Sequence, residues 1–251
     1  VVKEFDRPAA CVVKHATPCG VAAAESPVQA FTLAYEGDPL AAFGGIVALN
    51  RKVDRATADV ITQGQKFLEV IVAPAFDDDA LEVLKARWKN VRLLEVGPVH
   101  SLGHLQSLGH GAIQDDVSFH KIIGGYLVQQ RDMTGLNESE WKVVSKRQPT
   151  EQEWTDLRLA WVACKHVKSN AIVIARGGSA VGVGGGQVDR VNASRIAVSK
   201  ADSRATGGVA ASDAFFPFPD VPELLLNAGV TAITHPGRAM GDQETVDLCN
   251  Q

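Results

Sequence analysis

Lys14 and His15 stand side by side at the end of an apolar run, Ala9 to Val13, and Pro18, Cys19 and Gly20 then turn the chain. The run is short, Val-rich and bounded by turn residues, which predicts a buried strand. Open α/β sheets bind ligands at the ends of their strands, so the pair is expected at the mouth of a sheet. An imidazole there can take or give a proton near neutral pH. A neighbouring ammonium can depress its pKa and polarise a carbonyl. A turn-capping histidine beside a solvated lysine has the same sequence, and the pair alone does not separate the two readings.

Other segments offer partners. Asn170 precedes a strongly apolar strand, Ala171 to Ala175, and aims an amide at the same kind of strand-end site; a plain turn residue is the alternative. Gly182-Val183-Gly184-Gly185-Gly186-Gln187 could bring backbone N–H groups close to an anion. It lacks the Gly-Lys-Ser/Thr ending of a P-loop and the spacing of a dinucleotide fingerprint. Arg190 follows it and suits either a phosphate or the surface. Phe215, Phe216 and Phe218, with Pro217 and Pro219, form a stiff aromatic loop able to stack a planar ring or to fill a core. His100, His104, His110 and His120 lie in a Gly-, His- and Ser-rich stretch from about 97 to 120, read as a long loop, with no acidic or Cys partner completing a metal set.

The chain has 251 residues, 45% hydrophobic and 22% charged, with a net charge of −4. That is enough for one large domain or two small ones. Nothing in it resembles a nucleic-acid footprint, and no apolar run approaches the roughly 20 residues that span a bilayer. Cys11, Cys19, Cys164 and Cys249 show no CxxC or pairing pattern, so reduced thiols and a cytoplasmic location are expected. The opening Val and the ending at Asn250-Gln251, after a charged helix-like stretch, read as a piece of a longer protein.

The elements that must position these residues alternate. Ser26-Pro27 starts a helix running to about Tyr35. Asp38 to Gly45 is a tight connection into a strand at Ile46 to Leu49. Helical spacing from about Arg55 to Phe67 precedes a strand at Val70 to Ala73; a helix from about Asp78 to Lys85 precedes one at Val91 to Leu94. Ile122 to Gln130 and Trp141 to Lys146 read as further strands. Thr150 with Glu153 forms a capping box for a helix to about Val167. A hairpin at 171–183, a helix from Val191 to Ala201, a strand at Val209 to Ala211, a helix from Pro222 to Ala228 and a strand at Ala232 to Thr234 complete the chain. Such alternation argues for an α/β fold with a mixed sheet, and the shared plan of the halves makes internal duplication plausible.

Lys14-His15-x-x-Pro18-Cys19-Gly20, Asp38-Pro39-x-x-Ala42-Phe43-Gly44-Gly45 and Trp141-Lys142-Val143-Val144 resemble the AICAR transformylase part of the bifunctional purine biosynthesis protein. So do Lys165-His166-Val167-Lys168-Ser169-Asn170-Ala171, the glycine-rich stretch with Arg190, and Ser212-Asp213-Ala214-Phe215-Phe216-Pro217-Phe218. The resemblance is collinear over essentially the whole chain. It implies transfer of a formyl group from 10-formyltetrahydrofolate to the 5-amino group of AICAR, on the way to IMP. It implies two cytidine-deaminase-like three-layer subdomains with mixed sheets, related by duplication: residues 1–147, carrying Lys14-His15, and 148–251, cut short at its C-terminus. A homodimer with active sites at its interface is implied as well. By motif match, His15 is the general acid/base and Lys14 its electrostatic partner, while Asn170 hydrogen-bonds the reacting groups. Gly44, Glu69 and Arg190 fall where the family contacts the ribonucleotide. Phe215 and Pro217 fall where substrate ring and folate meet, with Val191 and Asp220 on the folate side. No catalytic metal is implied, and a monovalent cation near the second half stays open.

Departures from the family are Thr17 for a usual Asn, Ala41 for a usual Ser, and Arg238-Ala239 in place of a small Gly-Ser turn. An upstream nucleotide-binding motif, a His-rich ending and the preceding cyclohydrolase domain are not in this stretch, so the isolated chain is expected to be inactive. The alternative is a non-catalytic nucleotide-binding remnant. A zinc deaminase needs HxE and PCxxC, which His15-Ala16-Thr17 and Cys19 do not supply. A Rossmann dehydrogenase needs a proper GxGxxG and a later acidic residue, which are also missing.

Overall fold

The computed structural model describes residues 1–100, 117–132 and 134–251. It is α/β, built on one mixed nine-stranded sheet. The first half contributes β1 (Ala9–Lys14), β2 (Thr17–Ala23), β3 (Gly45–Leu49), β4 (Leu68–Ala73) and β5 (Arg92–Glu95). The second contributes β8 (Ile172–Arg176), β9 (Ser179–Gly184), β10 (Val209–Ser212) and β11 (Ala232–Thr234). The order across the sheet is β11-β10-β8-β9-β2-β1-β3-β4-β5. A separate hairpin pairs β6 (Val117–Ile122) with β7 (Gly125–Gln130).

The two halves repeat one plan. An antiparallel hairpin (β1–β2 or β8–β9) is followed by a helix and by a strand antiparallel to the hairpin's first strand (β3 or β10). A second helix then leads to a strand parallel to the last (β4 or β11). The helices are α1 (Pro27–Gly37) and α3 (Arg55–Thr62) in the first half, and α6 (Arg190–Ala201) and α7 (Asp220–Asn227) in the second. The halves meet where β2 pairs antiparallel with β9, Ala22 opposite Ser179. The short α2 (Pro39–Ala42), α4 (Asp78–Arg87), the long α5 (Glu151–Lys165) and α8 (Asp242–Cys249) complete the set.

Alternation along the strands divides the core. Val12, Val47 and Ile71 pack with Phe31, Ile61 and Leu84 of α1, α3 and α4. Ile172, Ile174 and Val181 pack with Ala193 and Ala197 of α6 and Leu225 of α7. The other face, with Cys11, Val21, Val173 and Ala211, is covered by Leu157, Ala160 and Ala163 of α5. Two helices lie directly on strand backbone. A Cβ on Gly20 in β2 would stand 1.8 Å from the Ala34 carbonyl oxygen of α1. One on Gly184 in β9 would stand 1.9 Å from that of Ala193 in α6. Only glycine admits such contact.

Local chemistry sets the helix starts as expected. The Ser26 hydroxyl accepts the Gln29 N–H with Pro27 at the first position, and Thr150 and Glu153 form a complete capping box. Several expectations need correction. The stretch after Lys14-His15 is not merely a turn but strand β2; Pro18 is tolerated because the ladder slips between Val12 and Val13, which offsets Cys19 from the pairing. Pro39–Ala42 is a helical turn capped by Asp38. Residues 122–130 are not one strand, because the Ile123-Gly124 turn folds the segment back on β6, which already begins at Val117 inside the expected loop. Residues 141–146 form no strand: Trp141 packs against Trp154 and Trp161 of α5, ring centroids 5.8 and 5.7 Å away. His104 and His110 lie outside the described residues.

Glu153 does more than cap α5. Its carboxylate takes both Arg147 guanidinium nitrogens (2.8 and 2.9 Å) and the Thr231 hydroxyl, joining the linker, α5 and the approach to β11. The Arg147 bonds, working against burial and helped by Thr231 and Thr150, hold the carboxyl down at about 2, from an ordinary value of 4.5. A depressed carboxyl stabilises the fold above its unfolded value and stops doing so as pH falls through the folded one. Glu153→Gln should therefore lower stability at pH 7 by about 1–3 kcal/mol. In denaturant titrations between pH 4.5 and 2, the variant should lose stability less steeply than the parent.

Candidate active site

Antiparallel pairing brings the predicted residues to one rim of the sheet. β1, β9, β10 and β11 end there, and β2, β3, β4 and β8 begin there. Lys14 closes β1, Gly44 precedes β3, Glu69 is the second residue of β4, Asn170 precedes β8, and Arg190 follows the glycine-rich exit from β9.

The first group forms around the β1–β2 turn. Lys14 pairs with Thr17, leaving His15 and Ala16 as a two-residue hairpin turn with His15 at φ 56°. Two-residue hairpins demand such left-handed backbone. The imidazole is exposed and makes no hydrogen bond among the described residues. The Lys14 ammonium donates to the Phe43 carbonyl at 2.5 Å, not to its neighbour. Gly44 follows at φ 69°, and a Cβ there would stand 3.2 Å from Lys14 Nζ. The Gly44 N–H donates to the Phe67 carbonyl at 2.8 Å, and the half-exposed Phe43 and Phe67 rings lie 5.4 Å apart. Glu69 occupies a bulge, since Gly45 pairs with Leu68 and Ile46 with Val70. Its carboxylate takes Arg92 Nη1 at 3.1 Å.

The second group is held by a largely buried ion pair. Asn170 gives both its backbone N–H and its Nδ2 to the Gln187 carbonyl, at 3.0 and 2.9 Å. Arg190, at the first position of α6, gives Nη2 to Asp213 Oδ1 at 2.8 Å. The same oxygen accepts the Ala171 N–H at 3.0 Å. Burial pushes the Asp213 carboxyl up, but hydrogen bonds from Arg190, Ser169 and Ala171 together bring it below its usual value. A cavity of about 430 Å³ adjoins this group, lined by Glu4, Thr134, Trp161, Lys165, Ser169 and Asp213 among others. On its wall, Glu4, with 3% of its side chain exposed, takes Lys165 Nζ at 3.1 Å and contacts His166 Nε2 at 3.0 Å. Burial raises the Glu4 carboxyl, and these two partners more than reverse that.

The aromatic loop divides its labour. Phe216 is fully buried, its ring 4.8 Å from that of His235, whereas Phe215, Pro217 and Phe218 face outward. Val191 is half-buried against the core of α6 and α7. Asp220 is exposed and its carboxylate accepts the Val221 N–H at 2.8 Å. Among the described residues no cluster of three His, Cys, Asp or Glu side chains converges as a metal set.

The chain thus brings Lys14 to Gly44, and Asn170 to Arg190, without joining the two groups. Three strand steps of about 4.8 Å separate β1 from β8, or ~14 Å along the rim. No side-chain hydrogen bond joins the two groups among the described residues. Sequence reasoning overlooked Asp213, Gln187 and the Phe43–Phe67 pair as site features. Asp213 carried a signal, an acid directly after an apolar strand, but nothing in the spacing tied it to Arg190.

Comparison with known proteins gives a family model described as the AICARFT/IMPCHase bienzyme, matching residues 1–200. The bifunctional purine biosynthesis protein PurH of Halalkalibacterium halodurans is 48% identical over 247 residues, covering 98% of this chain and 46% of that protein. PurH of Sorangium cellulosum is 49% identical over 246 residues, covering 98% and 45%. PurH of Oceanobacillus iheyensis is 46% identical over 251 residues, covering 100% and 46%. The chain spans about half the length of the curated relatives it matches.

Gly44 meets two constraints, a left-handed backbone and contact with the Lys14 ammonium. Gly44→Ala should lower stability by about 1–2 kcal/mol, read in thermal melts. A crystal structure of the variant should show Lys14 Nζ displaced from the Phe43 carbonyl.

Proposed function

Because the chain belongs to the AICARFT/IMPCHase bienzyme family, a family of purine biosynthesis, we propose that it carries the formyl-transfer activity, moving a formyl group from 10-formyltetrahydrofolate to the 5-amino group of AICAR. The observation that carries this reading is the His15 imidazole, presented to solvent by a fixed turn at the sheet rim, beside an ammonium held by the Phe43 carbonyl.

The reaction asks for those groups. An arylamine is a poor nucleophile, so a base must take its proton as it attacks the formyl carbon. His15 takes that proton and returns it to the folate nitrogen as the C–N bond to the cofactor breaks. The tetrahedral oxyanion needs a cation or amide donor within hydrogen-bond reach; Lys14 supplies the charge and Asn170 a polar amide. Gly44, Glu69 and Arg190 hold the ribonucleotide, Phe215 and Pro217 flank the substrate ring and the folate, and Val191 and Asp220 lie on the folate side. Protein groups complete this proton sequence by themselves.

One chain leaves the two groups ~14 Å apart along the rim, too far to act on one carbon. A homodimer with shared sites, Lys14 and His15 from one protomer and Asn170 and Arg190 from its partner, resolves that separation. The repeated strand and helix order supports two deaminase-like subdomains related by duplication, 1–147 and 148–251. No helix among the described residues is long and apolar enough to cross a membrane, and a cytoplasmic location belongs to the same proposal.

In the full-length protein, His15→Ala should reduce formyl transfer by at least about 100-fold while AICAR binding, measured by calorimetry, stays within about threefold. Near-normal turnover in that variant refutes the assignment.

A further inference from the structure

Arg190 is the one cation of the second group, and its setting is unusual. It lies at the first turn of α6 with 14% of its side chain exposed, and its buried Nε donor has no partner among the described residues. Nη2 is committed to Asp213, Nε is buried without an acceptor, and Nη1 is neither buried nor bonded among the described residues. A desolvated, unsatisfied guanidinium donor costs free energy unless something else accepts from it. Asp213 makes the arrangement possible. It projects from the end of β10, and its Oδ1 joins two other elements, taking Arg190 Nη2 from α6 and the N–H of Ala171, the residue next to Asn170. The reverse bond closes the pair, since the Asp213 N–H donates to the Ala171 carbonyl at 3.3 Å. A single carboxylate therefore fixes the arginine and the asparagine turn to one strand end.

We propose that Asp213 is the positioning residue of the nucleotide site: it orients the Arg190 guanidinium so that the accessible Nη1 meets an acceptor oxygen of AICAR, and it registers Asn170 against that arginine. The inference rests on the formyl-transfer reading for its substrate, and on this geometry alone for the orientation. Asp213 acts through Arg190 and Ala171 and touches no reacting atom. Its removal therefore affects the nucleotide and leaves the folate alone.

The test is a double-mutant cycle in the full-length protein: Asp213→Asn, Arg190→Gln and the pair, read by AICAR calorimetry and steady-state kinetics. Asp213→Asn should raise both Kd and KM for AICAR about tenfold or more, as expected for losing a charge-assisted bond. KM for 10-formyltetrahydrofolate should stay within twofold. In the Arg190→Gln background the same change should add little, because its route is gone. An AICAR KM within twofold of the parent, an equal rise in both KM values, or full additivity in the cycle overturns the proposal. Should Asp213→Asn fail to fold, Asp213→Glu takes its place in the cycle: the extra methylene shifts Arg190, and an unchanged AICAR KM again overturns it. If the parent protein binds no AICAR, the functional reading itself fails. Ligand-free crystal structures then decide the orientation claim, which holds if Arg190 leaves its place in the Asp213 variant and is overturned if it stays.

Discussion

Antiparallel pairing of β2 with β9 is the constraint from which the rest of the molecule follows. Two hairpin-led units of like topology are joined through their second strands. Because pairing reverses direction at the seam, the hairpin turn of the first unit and the entry to the hairpin of the second arrive on the same side. Parallel pairing at that point would send His15 and Asn170 to opposite edges. With the antiparallel seam, Lys14, His15, Gly44, Asn170 and Arg190 of the proposed site emerge along one line, and distance along that line separates them. The nine-stranded sheet is a ruler as well as a scaffold: it gathers the groups and also fixes how far apart they stay within one chain.

The two groups on that line are anchored by different physics, which suits different tasks. The first is tethered lightly. Lys14 leans on a main-chain carbonyl, and the imidazole is held by backbone geometry, its ring nitrogens making no hydrogen bond among the described residues. In the proposed role of proton carrier, a ring nitrogen with no internal partner stays open to the incoming amine. The second group is built from a nearly buried ion pair and main-chain bonds. Such pairs are weak contributors to net stability but strong determinants of orientation. Glu4, Lys165 and His166 apply the same device one layer behind, tying the start of the chain to the end of α5.

Much of this was legible in the sequence wherever the deciding interaction is local. Ser26-Pro27 and Thr150-x-x-Glu153 announce helix starts because a cap is satisfied within three residues. Short Val- and Ile-rich runs bounded by glycine announce buried strands. Strand β2 was not legible, since Pro18 and Gly20 are breakers by composition. They are accepted only because the ladder shifts beside Pro18 and α1 comes down onto Gly20, and both causes are tertiary. The Trp141 segment failed in the opposite direction: it has strand-like residues but no neighbouring edge, and the indole finds α5 instead. Of the site, the residue types and their order along the chain were readable. The bond between Arg190 and Asp213 was not, because it depends on where β10 ends relative to α6.

The bare glycine contacts under α1 and α6 bear on how this molecule can move. At Gly20 and Gly184 the helices rest on the sheet with no side chain between them, one on each side of the seam. Side-chain layers let packed elements slide by swapping rotamers; main chain pressed on main chain has no rotamers to swap. The central four strands and their two helices therefore behave as a stiff plate, and adjustment to a bound molecule is left to the turns at its border.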